Sequence, residues 1–201
     1  MTQPSPSESA ERLRPWFEIE VDGSELVADP YGDDEVDHLR QLVGLALRDR
    51  RGPRTIVVGL RFVGPDEMAE LNALHLGRDG PTDVLSFPID GDPAEVASGD
   101  DRWEARAGRI GVERTAGGSE VDQPPWLLGD IVICPAVAAA NAPTHAGSTR
   151  DELALLVVHG LLHLLGMDHA DAGKRAAMQA RERELLTAHH GPMARDPWDP
   201  A

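Results

Sequence analysis

His159-Gly160-Leu161-Leu162-His163-Leu164-Leu165-Gly166-Met167-Asp168-His169 closes an apolar run that begins at Leu153. Histidines four apart stack on one face of a helix, one turn from each other. Gly166 is the residue type that takes the left-handed conformation at a helix end, so the chain can turn back and bring His169 to the other two. Leu153 to Leu165 is apolar almost all round, which predicts a buried helix, and polar groups on such a helix need partners. A core helix that merely carries histidines leaves those imidazoles unexplained. Three neutral imidazole nitrogens converging on one point instead make a zinc site, one ion per chain, with a position left open for water.

Outward from this helix the elements follow in both directions. Ser148 or Thr149 caps its start, with Asp151 and Glu152 in the favourable first turn. Asp171 caps a last helix to about Ala188, where Arg181-Glu182-Arg183-Glu184 reads as a solvated face. Upstream, Trp126–Ile133 is a strand, and Pro135 starts a short helix through Asn141. Thr55–Val63 is the clearest strand, followed by a helix that opens at Pro65 and carries Met68, Leu71 and Leu74. Thr82-Asp83-Val84-Leu85-Ser86-Phe87-Pro88 is a turn feeding a short strand whose polar residues suit a sheet edge. Phe17–Val21 alternates as a half-buried strand, and a helix from about Glu35 to Arg50 follows it. The mixture is α+β: a small mixed sheet packed with helices, one of them a zincin-like metal helix.

A chain of 201 residues suits one domain with a proper core. The metallohydrolase domain is expected over 16–189, after a disordered segment at 1–15 rich in Ser, Pro and Glu and before a flexible tail at 190–201. Residues 90–125 are rich in Gly, Asp and Glu and read as a flexible acidic insertion. The single cysteine, Cys134, lies in an apolar run and reads as a buried thiol in a reducing compartment. No secretory signal stands at the N-terminus and Leu153–Leu165 is too short to span a membrane, so a cytoplasmic protein is expected.

The net charge of −16 argues against a nucleic-acid partner until its distribution is read. Residues 1–38 hold eleven acids against two bases and 90–125 hold nine against four, whereas 39–89 is close to neutral. The acidity therefore lies mainly outside the expected core. A local basic patch from Arg54, Arg61, Arg78 and Arg150 remains open to the fold.

Three histidines with no fourth Cys or His nearby indicate a catalytic rather than a closed structural site. Zinc so held acidifies its water enough to ionise near neutral pH, which makes a hydrolase. The spacing is that of metzincin proteases, His-Glu-x-x-His-x-x-Gly-x-x-His, with one departure: their general-base glutamate is Gly160 here. Asp168 is the nearest carboxylate, either as a hydrogen-bond acceptor that orients a ligand histidine or as the general base. Asp83 is another candidate if its strand lies beside the metal.

The histidine motif with its Gly160 resembles the signature of the YbeY family, bacterial endoribonucleases of ribosomal RNA maturation. Glu70-Leu71-Asn72 leading to Pro81–Pro88, and Leu128-Gly129-Asp130-Ile131-Val132-Ile133, match the family in the same order, so the resemblance covers about residues 17–89 and 126–188. It implies metal ligation by His159, His163 and His169, cleavage of single-stranded RNA, processing of small-subunit ribosomal RNA and a part in ribosome quality control. It also implies ribosomal RNA and the small ribosomal subunit or its proteins as partners. One feature departs: many members have an arginine implicated in activity just before the Gly77 position, and this chain has Leu76. Arg78, two residues on, is the candidate substitute, since a guanidinium suits phosphate.

The leading expectation is thus a zinc-dependent endoribonuclease. Two rivals stand beside it: a metalloprotease-like amide hydrolase on the same three histidines, and a non-enzymatic ribosome-assembly factor with a structural metal.

Overall fold

The computed structural model describes residues 17–27, 32–47, 55–90 and 124–198. The expected disordered segment at 1–15, most of the acidic insertion, Arg54 and the last turn expected before Arg50 lie outside those residues.

Among the described residues four strands form one sheet in the order β1-β2-β4-β3. These are β1 (Phe17–Asp22), β2 (Ile56–Phe62), β3 (Val84–Pro88) and β4 (Trp126–Ile133). β1, β2 and β4 run parallel, and β3 pairs antiparallel with β4 at one edge. Five α-helices accompany them: α1 (Asp33–Leu47), α2 (Pro65–Leu76), α3 (Pro135–Asn141), α4 (Thr149–Leu164) and α5 (Ala172–His189). A 3-10 turn, Ala142–Thr144, extends α3. The mixed sheet and flanking helices make the fold α+β.

The central strands β2 and β4 are buried over most of their length, whereas β1 at the edge alternates and leaves Glu18, Glu20 and Asp22 exposed. Ile56, Val58, Leu60 and Phe62 of β2 join Ile131 and Ile133 of β4 in the main core, with α1, α4 and α5 above them. Val132 and Leu85 point the other way, into a smaller cluster with Met68, Val63 and the buried Cys134. In β4 the inward parity slips from Leu128 to Ile131, and the pairing with β2 shifts between Val57 and Val58. That bulge lies at Gly129, whose φ of +148° leaves Phe87 O only 2.3 Å from where a Cβ would be. A side chain there would be both strained and blocked.

α4 lies at the centre, packed against the sheet, α1, α3 and α5. Twelve of its sixteen residues are buried, so the sequence run that looked apolar all round is a core helix. Ser148 caps it, accepting from Asp151 N–H. At its other end Gly166 takes φ +82°, and the N–H groups of Gly166 and Met167 return to the carbonyls of His163 and Leu162. This turn sends the chain back over the end of the helix, which is what positions the site.

Candidate metal centre

The turn after α4 brings His159, His163 and His169 together, each offering one ring nitrogen, all within 4.8 Å of one another. The geometry is built from below. His159 and His163 are one helical turn apart, and their Nε2 atoms lie 3.0 Å apart. The ring of His169 stacks on that of His159 at 5.5 Å between centroids and meets His163 edge-on at 5.0 Å.

The other nitrogen of each helical histidine is occupied. His159 Nδ1–H donates to Glu182 Oε1 at 2.7 Å, and His163 Nδ1–H donates to the Met167 carbonyl at 3.0 Å. These bonds fix the tautomers, leaving each Nε2 with a lone pair aimed at its neighbour. Two acceptors facing each other at 3.0 Å repel unless a cation lies between them. A tetrahedral zinc with bonds of 2.0–2.1 Å would set its nitrogens roughly 3.3 Å apart, so the His159–His163 pair fits a metal with little adjustment, and the His169 ring, within 4.8 Å, would draw in to complete the set. An all-imidazole set also suits nickel, copper or iron. Burial first, then the neighbouring His159 and His169, holds the His163 pKa below the usual histidine value, which favours the neutral form that binds metal.

Glu182 is 3 % exposed, and its second oxygen accepts from the indole N–H of Trp198 at 2.7 Å. The expectation of a solvated face over Arg181–Glu184 therefore fails at this residue. Met178, Glu182 and Leu185 are all buried, and their spacing of four and three places the acid on the apolar stripe of α5. That period was the signal available in the sequence, and the alternating charges around it concealed it.

His159 and His169 open into a cleft of ≈ 310 Å³, whose walls include Asp83, His145, Arg175, Pro197 and Trp198. His145, which the sequence placed in a plain loop, is held by its Nδ1 against the buried carboxylate of Glu152 at 2.9 Å. Asp83 stands at the start of the edge strand, where its carboxylate accepts from Val84 N–H, Thr82 Oγ and Asn141 Nδ2. Three donors on one carboxylate make it a brace for the cleft wall.

Asp168 takes neither of its expected places beside a ligand. It is exposed, accepts from Lys174 Nζ at 2.7 Å and Ala170 N–H at 3.0 Å, and is absent from the lining of the cleft. The Lys174 hydrogen bond, foremost, holds its carboxyl below the ordinary aspartate value. The carboxylate that holds one of the three clustered histidines is Glu182. Arg78 follows the left-handed Gly77 that ends α2; it is exposed, makes no side-chain bond to any described residue, and also lies outside the lining. Of the other arginines of the expected patch, Arg61 pairs with Asp22 and Glu67, and Arg150 pairs with Glu35. The arginine that does line the cleft is Arg175, which donates to the His169 carbonyl at 3.4 Å.

Gly160 explains the missing glutamate. A Cβ there would sit 2.6 Å from Ile131 Cγ2 and 3.1 Å from Ser86 Oγ, where α4 touches β4 and β3. Ser86 Oγ–H donates to the Gly160 carbonyl across the same contact. The position that bears the general base in His-Glu-x-x-His proteases is here pressed against the sheet.

The profile of the family described as Endoribonuclease YbeY matches residues 32–190. The chain belongs to the YbeY family. An endoribonuclease YbeY of Acidothermus cellulolyticus is 46 % identical over 132 residues, which is 65 % of this chain and 69 % of the relative. One of Salinispora tropica is 46 % identical over 127 residues, 63 % and 70 % of the two chains. One of Kineococcus radiotolerans is 37 % identical over 166 residues, 83 % and 81 %. Among the described residues of this YbeY chain, no helix is long and apolar enough to cross a membrane.

Proposed function

We propose that this YbeY chain is a cytoplasmic, zinc-dependent endoribonuclease that cuts single-stranded RNA and acts in maturation of small-subunit ribosomal RNA and in ribosome quality control. Ribosomal RNA and the small subunit or its proteins are then its partners. The observation that carries the reading is the cluster of three imidazoles, two of which, His159 and His169, line an open cleft, in a chain whose curated relatives bear the name endoribonuclease. His159, His163 and His169 would hold the ion. When bound, zinc supplies Lewis acidity toward a phosphoryl oxygen and toward water.

The protein's own groups have separable tasks. Glu182 and the Met167 carbonyl keep the Nδ1 protons of His159 and His163 in place, so that Nε2 faces the cleft. Arg175 places a guanidinium at the cleft wall, suited to a backbone phosphate. Arg78 is free to contact RNA outside the cleft, and Asp168 supports the turn that carries His169. An unpaired strand can enter such a cleft with its phosphodiester exposed, whereas a duplex buries its bases and stiffens its backbone. Gly160 weighs against the amide-hydrolase reading, since the sheet leaves no room for the proteases' glutamate.

The test is to incubate the purified chain with single-stranded RNA, structured RNA and a denatured protein, each with and without chelator, beside His163→Ala. Chelator-sensitive cleavage of single-stranded RNA that is lost in the variant is the expected result. Metal-dependent peptide cleavage with intact RNA would overturn it. A folded, metal-loaded protein that cuts neither would point to an assembly factor with a structural metal.

A further inference from the structure

The chain after α5 turns back across the site. Ala194 N–H donates to Asp151 Oδ2 at 2.9 Å, and Arg195 N–H donates to the Ala146 carbonyl at 3.0 Å. Gly147 lies beneath this strap, where a Cβ would stand 2.9 Å from Ala194 and 3.0 Å from Arg195. Asp196 then takes the Trp198 N–H at 3.0 Å and pairs with Arg183, whose guanidinium lies over the indole ring at 4.6 Å. Of the residues expected as a flexible tail, Pro197 and Trp198 are thereby brought into the wall of the cleft.

Trp198 meets the site at one atom. Its indole N–H reaches Glu182 Oε2 at 2.7 Å, while the other oxygen of that carboxylate holds His159 Nδ1–H at 2.7 Å. Glu182 is buried, so each oxygen needs a donor. With Nδ1–H on one side alone, the carboxylate could swing about its terminal torsion, which is broad and two-fold. The second donor fixes its plane and therefore the direction in which the imidazole is held.

We propose that Trp198 is a positioning residue for the metal centre: its indole N–H, through Glu182, orients the His159 imidazole and sets its strength as a ligand. The inference rests on reading the three histidines as metal ligands. The C-terminal strap thereby becomes part of the site, although no atom of it would touch the ion.

Trp198→Phe keeps an aromatic ring under Arg183 and removes only the donor. In the full-length chain, zinc affinity measured by competition with a chromophoric chelator is expected to fall about three- to tenfold, less than the ~10–100-fold typical of losing a ligand's direct partner. In metal-free protein, the Nδ1–H resonance of His159 in nitrogen-edited NMR is expected to move, while that of His163, held by a backbone carbonyl, stays. Arg183→Ala loosens the strap but leaves the indole N–H, and should bind zinc within about twofold of the native chain, since it removes no partner of the relay. Trp198→Phe that binds zinc as the native chain does, with the His159 signal unmoved, overturns the inference. So does an Arg183→Ala loss equal to that of Trp198→Phe, because the donor would then be incidental to the docking of the strap. A native chain that fails to bind zinc overturns the metal-site reading itself, and the native titration alone reveals it.

Discussion

Two histidine clusters adjoin α4, one near each end, the first built on its own His159 and His163 and the second on His38 and His190 gathered at its Asp151, and they use the same chemistry to opposite ends. At its C-terminal end His159 leans on the buried Glu182, and at its N-terminal end Asp151 accepts from His190 Nε2 at 2.7 Å. His190 Nδ1 is joined in turn to His38 Nε2 at 2.8 Å, and Ser148 Oγ–H and Ala194 N–H occupy the other oxygen of Asp151. Both ring nitrogens of His190 are therefore consumed within the network. In the other cluster each helical histidine spends one nitrogen on a partner and keeps the second, and the spared nitrogens converge. In the first arrangement the histidine is a tie with both nitrogens bonded; in the second, nitrogens are left over and face one another, as a shared cation would require. Burial does not separate the two cases, because both carboxylates are nearly inaccessible.

The most severe way to break this contrast is to exchange the histidines' fates. His163→Ala should lower zinc affinity by more than the ~10–100-fold expected for removing a ligand's partner. His190→Ala should leave zinc affinity within about twofold, and instead lower unfolding free energy by about 1–3 kcal/mol by stranding Asp151. Chelator competition and urea unfolding read the two quantities. Next in size are the carboxylates. Glu182→Gln should cost roughly 10–100-fold in metal affinity, whereas Asp151→Asn should appear in stability and not in metal binding. Equal effects of the two on zinc would dissolve the distinction.

A smaller effect is expected where the metal end of α4 meets the sheet. Gly160→Ala gains about 1 kcal/mol of helix propensity but meets Ile131 at 2.6 Å, and overpacking of this kind costs about 1–3 kcal/mol. Denaturant unfolding should show a net loss of up to roughly 2 kcal/mol, the difference of those two terms. Native stability in that variant would mean that Ile131 moves aside freely. The smallest effect concerns pH. Burial first, then the neighbouring His190 and Arg150, holds the His38 pKa below its ordinary value. The unfolded chain takes up that proton near pH 6.5, before the folded one does. The stability His38 contributes is thus complete above about pH 6.5 and is lost as pH falls toward its lowered folded value. In metal-free protein, His38→Gln should flatten that part of the melting profile, by less than about 1 kcal/mol after solvent screening.

The difference between the clusters also marks what a sequence discloses. His159, His163, Gly166 and His169 form a local pattern, and helical geometry carries them to one point without help from the rest of the chain. The element order is legible for the same reason, since apolar period and turn residues act within a few positions. Glu182 lies 23 residues from the histidine it serves, and only the buried stripe through Met178 and Leu185 betrays it. His145 and Asp83 reach the cleft from a loop and a strand start, where no period operates. Asp168 was chosen for closeness in sequence, but the turn at Gly166 points it outward to Lys174. The relay from Trp198 joins the charged run of the last helix to the tail after it, and neither carries a pattern that names the other.

The antiparallel pairing of β3 with β4 has a consequence for how this chain can vary. Past the last strand pair, Ile89 and Asp90 N–H still donate to the carbonyls of Leu128 and Leu127, and Leu127 N–H returns to the Asp90 carboxylate. Those bonds clasp the two places where the chain departs and comes back, at the end of β3 away from Asp83 and about 15 Å along the strand from it. Closure entropy grows slowly with the span between clasped ends, about 0.6 kcal/mol for each doubling. This hairpin mouth is held by its own backbone bonds, which makes it a natural splice point and the position of choice for a tag, a probe or a grafted module.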